Sequence, residues 1–88
     1  MINDKDKVKI IKLARKYKVS SVYLFGSSLS SPAPNDIDLG VKGINPRSFF
    51  EFYGELLTSL SKPIDLVDLS KESLFNSIIE KRSVKIYG

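Results

Sequence analysis

Val22-Tyr23-Leu24-Phe25-Gly26-Ser27-Ser28 and, after a short loop, Asn35-Asp36-Ile37-Asp38-Leu39-Gly40-Val41 form the stretch on which the reading of this chain turns. The first half is a short apolar strand that breaks at a glycine, the residue that best permits a sharp turn and a close approach by a ligand. The second half alternates. Successive strand side chains point to opposite faces and the chain rises about 3.3 Å per residue, so Asp36 and Asp38 share one face, their α-carbons about 6.6 Å apart. Ile37, Leu39 and Val41 share the other. Two carboxylates set in this way can converge on one or two hard cations.

Between the two halves, Ser27 is placed to cap a helical turn, and Pro32 and Pro34 keep any such helix very short. Upstream, Asp4 to Lys18 reads as an amphipathic helix with Val8, Ile11 and Ala14 inward and Ile10, Leu13 and Tyr17 widening the stripe. Asp4 and Asp6 open it and Arg15, Lys16 and Lys18 close it, the order that suits the helix dipole. Lys5, Lys9, Lys12 and Lys16 form a basic stripe, read first as a solvated face and second as a contact for a phosphate backbone.

Downstream, Asn45-Pro46 supplies a cap and a first-turn proline, and Phe49, Tyr53, Leu56, Leu57 and Leu60 follow on one helical face. Phe50 and Phe52 fall off that face, as further core or as a dimer or partner surface. Pro63 to Leu69 reads as another strand, and the helix that joins it to the Asp36 strand predicts a parallel pair. Ser70 is expected to cap a helix through Lys81 with Leu74, Phe75, Ile78 and Ile79 inward. Ser83 to Tyr87 makes a last short strand. The expected order is therefore α-β-(short α)-β-α-β-α-β, an α/β (α+β) arrangement with a mixed sheet flanked by helices, in one domain spanning residues 1–88.

Composition narrows the chemistry. Hydrophobic content of 42% with aromatics at 10% places the chain among globular proteins. It has neither cysteine nor histidine, so disulfides, thiolate nucleophiles and cysteine-type zinc sites are excluded. A metal must be held mainly by oxygen, which favours magnesium, manganese or calcium, and a general base must be a carboxylate, lysine or tyrosine. A net charge of +4 is too ordinary to indicate nucleic acid by itself. No apolar run is long enough to cross a bilayer, and Met1-Ile2-Asn3-Asp4-Lys5-Asp6 lacks a secretion layout, so a cytoplasmic address and no membrane partner are expected.

Asp65 is an acid in the middle of an apolar strand, where an unpaired charge is costly unless a cation meets it. With its strand beside that of Asp36 and Asp38, three carboxylates can surround a magnesium site, two holding metal and the third accepting a proton. Asp68 points to the other face and suits the strand end. An EF-hand reading of Asp36-Ile37-Asp38-Leu39-Gly40 fails, since Val41 stands where its glycine belongs and Arg47 where its glutamate does. The geometry suits nucleotidyl transfer, with backbone amides of the Gly26-Ser27-Ser28 turn on the phosphates and Asp65 drawing the acceptor's proton. Gly40, on the acidic face, leaves room for nucleotide or metal.

Val22-Tyr23-Leu24-Phe25-Gly26-Ser27, then Asp36-Ile37-Asp38-Leu39, then Ile64-Asp65-Leu66-Val67-Asp68-Leu69 resembles the minimal nucleotidyltransferases of the DNA polymerase β superfamily, and more narrowly the MNT antitoxins that accompany HEPN-domain toxins. The resemblance spans nearly the whole chain. It implies a nucleotidyltransferase-like fold in which Gly26 and Ser27 bind the phosphates, Asp36 and Asp38 hold magnesium and Asp65 completes the acidic triad. It also implies ATP as substrate and a tyrosine hydroxyl on the partner toxin as the acceptor of AMP. The chain departs from the family pattern at one place: eight residues, Ser28 to Asn35, separate the Gly-Ser pair from Asp36 where ten are usual, and the arginine of a Gly-Ser-x-Ala-Arg-Gly run is missing. Arginine offers a charged donor fork that serine cannot match. The rival expectation is an inactive relative that binds a protein or nucleic acid, and a homo-oligomer is left open. Affinity that falls steeply with salt would mark phosphate contacts.

Overall fold

The computed structural model describes residues 2–30 and 35–88, apart from the side chains of Ser27 and Ser30. Its elements are α1 (Asp4–Lys16), β1 (Ser21–Phe25), α2 (Ser27–Ser30), β2 (Ile37–Lys42), α3 (Phe49–Ser59), β3 (Ile64–Asp68), α4 (Leu74–Lys81) and β4 (Val84–Tyr87). This is the order that the sequence predicts. Pro32 and Pro34, expected to keep α2 short, lie outside the described residues.

The four strands form one mixed sheet in the order β3-β2-β1-β4. β1 runs antiparallel to β2, with Tyr23 opposite Gly40 and Phe25 opposite Asp38. The crossover through α3 makes β2 and β3 parallel, and their register sets Asp38 beside Asp65 and Ile37 beside Ile64. β4 is added antiparallel at the free edge of β1, with a bulge between Val22 and Tyr23, and pairs Lys85 with Tyr23.

Alternation divides the sheet. Val22 and Leu24 of β1 and Ile37, Leu39 and Val41 of β2 are buried, and they form an apolar cluster with Ile10 and Ala14 of α1 and Phe52, Leu56 and Leu60 at α3. Tyr23, Asp38, Lys42 and Asp65 stand on the opposite face, which is more open to solvent.

Helix faces differ from expectation in three places. α1 turns Ile10, Ala14 and Asp6 inward and leaves Val8 51% exposed. Asp6 belongs to the inner face because its carboxylate accepts from the Ser61 amide at 3.2 Å and the Ser61 hydroxyl at 2.5 Å. On α3 Phe52 is fully buried, in edge contact with Tyr17 at 5.6 Å between ring centres, so it is core and not a partner surface. Phe50 is 79% exposed and Leu57 48%. α4 begins later than predicted because Ser73, not Ser70, accepts from the Asn76 amide at 3.0 Å. Ser70 instead accepts from Gly43 N at 3.0 Å. Of the four apolar residues expected inward on α4 only Ile79 is buried, and Leu74, Phe75 and Ile78 face solvent.

α1 also ends two residues early. Lys18 adopts a left-handed conformation at φ 55°, donating to Arg15 O, while Val19 donates to Ala14 O at 2.9 Å. These two bonds close the helix as a Schellman turn. Two lysines of the basic stripe are committed to α3: Lys9 donates to Ser59 O at 2.8 Å and Lys16 pairs with Glu55 at 2.8 Å.

Candidate active site

Each acidic residue owes its position to the strand that carries it. Asp38 is the second residue of β2 and Asp65 the second of β3. Neighbouring residues of paired strands point to the same face, and strands lie about 4.8 Å apart, so these two carboxylates leave the sheet side by side. Asp36 precedes β2 by one residue, in an exposed bend at the same end of the sheet. Asp65 is exposed, whereas Asp38 is half-buried. Among the described residues, no three or more carboxylates are gathered closely enough to hold a metal ion by themselves.

Gly26 explains why the chain turns where it does. Its φ of +64° lies in the region that glycine alone adopts freely, and a β-carbon there would stand 2.5 Å from Asp38 Oδ2. The turn is thus pressed against the acid. Gly40 has a different reason. A β-carbon at Gly40 would stand 2.4 Å from Leu69 Cδ1, so the room left on the acidic face is filled by Leu69 and not kept for nucleotide or metal.

Ser28 is a strut that the sequence does not distinguish from its neighbouring serines. Its fully buried hydroxyl oxygen accepts from the Asp38 amide at 2.7 Å, and the hydroxyl reaches Asp36 O at 3.4 Å. It therefore joins the turn after β1 to the start of β2 and fixes the backbone between the two acids. The Ser27 side chain, expected near phosphate, lies outside what is described. Asp68 behaves as its position suggests, accepting from Ser70 N at 2.9 Å in the turn after β3.

The far end of the same sheet face is cationic. Lys42 and Lys85 each place an ammonium 5.9 Å from the Tyr23 ring centre. Lys42 is also paired with Glu80, and that bond raises its pKa above the ordinary lysine value. A groove of about 990 Å³ opens beside this pair, between the end of β2, Leu69 and the polar side of α4. It lies four residues along β2 from Asp38, so it is separate from the acids.

Comparison with known proteins places the family and the fold. Residues 8–88 match the sequence profile of the family described as polymerase beta, nucleotidyltransferase. No curated protein matches the chain. A toxin–antitoxin structure with AMP-PNP is similar at 31% identity and TM-score 0.75, over 93% of this chain and 73% of that one. The MntA–HepT toxin–antitoxin structure is similar at 27% identity and TM-score 0.74, over 98% and 73%. So is a tri-AMPylated Shewanella oneidensis HEPN toxin in complex with an MNT antitoxin, at 29% identity and TM-score 0.72, over 94% and 70%.

Proposed function

From the premise that this chain belongs to the polymerase beta nucleotidyltransferase family, we propose that it moves AMP from ATP onto a hydroxyl of a partner protein, acting as antitoxin to a HEPN toxin. The observation that carries the reading is the β2–β3 register, which sets Asp38 beside Asp65 at the end of the sheet where Gly26 turns. Like charges side by side on neighbouring strands repel, and a divalent cation between them relieves the cost. The three acids offer carboxylate oxygens, which fits magnesium, or manganese in its place. Asp36 and Asp38 would hold the ion and Asp65 would complete the set, with phosphate oxygens of the substrate supplying donors that the acids alone do not bring together. When bound, the ion neutralises charge on the triphosphate and on the departing pyrophosphate.

The chain's own groups do the rest. The Gly26 turn and the amides of Ser27 and Ser28 lie against the phosphates, and Ser28 keeps Asp36 and Asp38 in place from behind. Asp65 accepts the proton of the acceptor hydroxyl. The hydroxyl oxygen forms a bond to the α-phosphorus as the bond from that phosphorus to the β-phosphate's bridging oxygen breaks, and pyrophosphate leaves with the electron pair. The reading of the acceptor is supported by two similar structures: one is a complex of a tri-AMPylated HEPN toxin with an MNT antitoxin, and the other a toxin–antitoxin pair with AMP-PNP. The work is done in the cytoplasm, in keeping with the absence of any helix among the described residues long and apolar enough to cross a membrane. Residues 1–88 act as one minimal nucleotidyltransferase domain.

The test is to copurify the native partner and add magnesium and ATP labelled at the α-phosphate. The wild-type protein transfers label and adds the mass of one AMP per modified hydroxyl, and Asp38→Asn abolishes both while the complex still forms. Equal labelling by Asp38→Asn would reject the site.

A further inference from the structure

The sheet face that carries Asp38 and Asp65 has a second pole. Going from Asp38 along β2, the same face presents Gly40 and then Lys42, and going across the sheet from Gly40 it presents Tyr23 on β1 and Lys85 on β4. The two ammonium groups flank the Tyr23 ring at 5.9 Å each. Lys42 is held by Glu80. Lys85 is exposed and, among the described residues, is in no ion pair. From strand spacing and rise, the α-carbons of Lys85 and Asp38 are about 12 Å apart, two strands over and two residues along. A lysine's four-carbon stem covers much of that distance and leaves its ammonium free to choose its anion.

We infer that Lys85 binds the β- and γ-phosphates of the nucleoside triphosphate, supplying from β4 the cation that the loop after Gly26-Ser27 lacks. The inference rests on the nucleotidyl transfer proposed above and adds to it a residue that the family motifs do not mark. Ser28-Leu29-Ser30-Ser31 offers no charge to a triphosphate at the place where an arginine is usual. A cation on this face offsets negative charge that Asp38 and Asp65, side by side, otherwise repel. Of the two lysines that flank Tyr23, Lys42 is paired with Glu80, and Lys85 is in no ion pair among the described residues. Tyr23 holds the stem in place: the ammonium over its ring gains from the negative face of the π system while it keeps its charge for phosphate. Replacing Lys85 removes charge-assisted contacts to the triphosphate and leaves contacts to adenosine untouched.

The experiment is calorimetric titration of the purified chain with ATP, AMP and adenosine in magnesium, for the wild type, Lys85→Gln and Lys85→Arg. Lys85→Gln raises the Kd for ATP roughly tenfold or more, the size of a lost charge-assisted hydrogen bond, and shifts AMP and adenosine by less than twofold. Lys85→Arg restores ATP binding to within about threefold of the wild type, which a merely structural role for the stem would not require. Thermal midpoints measured alongside show that all three chains are folded. An ATP Kd for Lys85→Gln within twofold of the wild type overturns the assignment, and so does an equal loss for all three ligands. A wild-type chain that binds no ATP overturns the proposed function, and this assignment with it.

Discussion

Lys18 and Gly26 both sit at positive φ, and only one of them is the residue that such a position prefers. A side chain in the left-handed region costs about 1 kcal/mol relative to glycine. Lys18→Gly relieves that cost while keeping both Schellman bonds, so the variant is expected to gain about 0.5–1 kcal/mol in urea unfolding. A loss of stability would show that Lys18 contributes something beyond its backbone. This position also explains why the α1 boundary was illegible: helix ends are read from glycine, and here a lysine takes the glycine's place. The acids were different. Asp38 and Asp65 could be placed side by side from spacing, because strand alternation and a helical crossover fix both face and direction, whereas Asp36, expected within the strand, lies in the bend just before it. Ser28 could not. Nothing in a run containing Ser27, Ser28 and Ser30 marks which hydroxyl turns inward, and that is decided only when β2 arrives beside it.

Helices were legible as elements and poorly legible as faces. In α3 the apolar set Phe49, Tyr53, Leu56 and Leu57 fits a helical stripe as well as Phe52, Leu56 and Leu60 does, and the choice is made by α1 through the Tyr17–Phe52 contact. In α4 the misreading is larger, since Leu74, Phe75 and Ile78 are apolar yet uncovered. The α1–α3 seam also carries a charge link with a definite pH signature. Glu55 accepts from both Lys16 and Tyr17, and these bonds, led by that of Lys16, hold its carboxyl below the usual range. The same hydrogen bond, with some burial, pushes Tyr17 up to about 12. The depressed Glu55 contributes stability above its unfolded pKa of about 4.3, and that contribution is lost as pH falls through the lower folded value. The raised Tyr17 contributes fully below about pH 10, and its contribution is lost as pH rises from about 10 to 12. Urea midpoints against pH for Glu55→Gln and the wild type should therefore differ most near neutrality and converge at the acid end. Parallel curves would remove the link from the account.

The sheet as a whole carries Asp38 on an inner strand and sets Asp65 and Lys85 on its two edge strands. The edges differ in burial: β3 buries Ile64, whereas β4 buries none of its four residues fully. Native-state hydrogen exchange should accordingly find the Val84–Tyr87 amides the first of the sheet to open, ahead of those of β1 and β2. Uniform protection across all four strands would contradict this picture. That Ser83 to Tyr87 makes a short strand was legible from its pattern, but its edge position was not, because edge or centre depends on pairing across more than sixty residues from Tyr23 to Lys85.

That edge position makes β4 a latch. It is the edge strand that can leave without parting Asp38 from Asp65. A cofactor-like anion gripped by Lys85 would fasten it, so that this margin of the sheet reports whether the cleft is loaded.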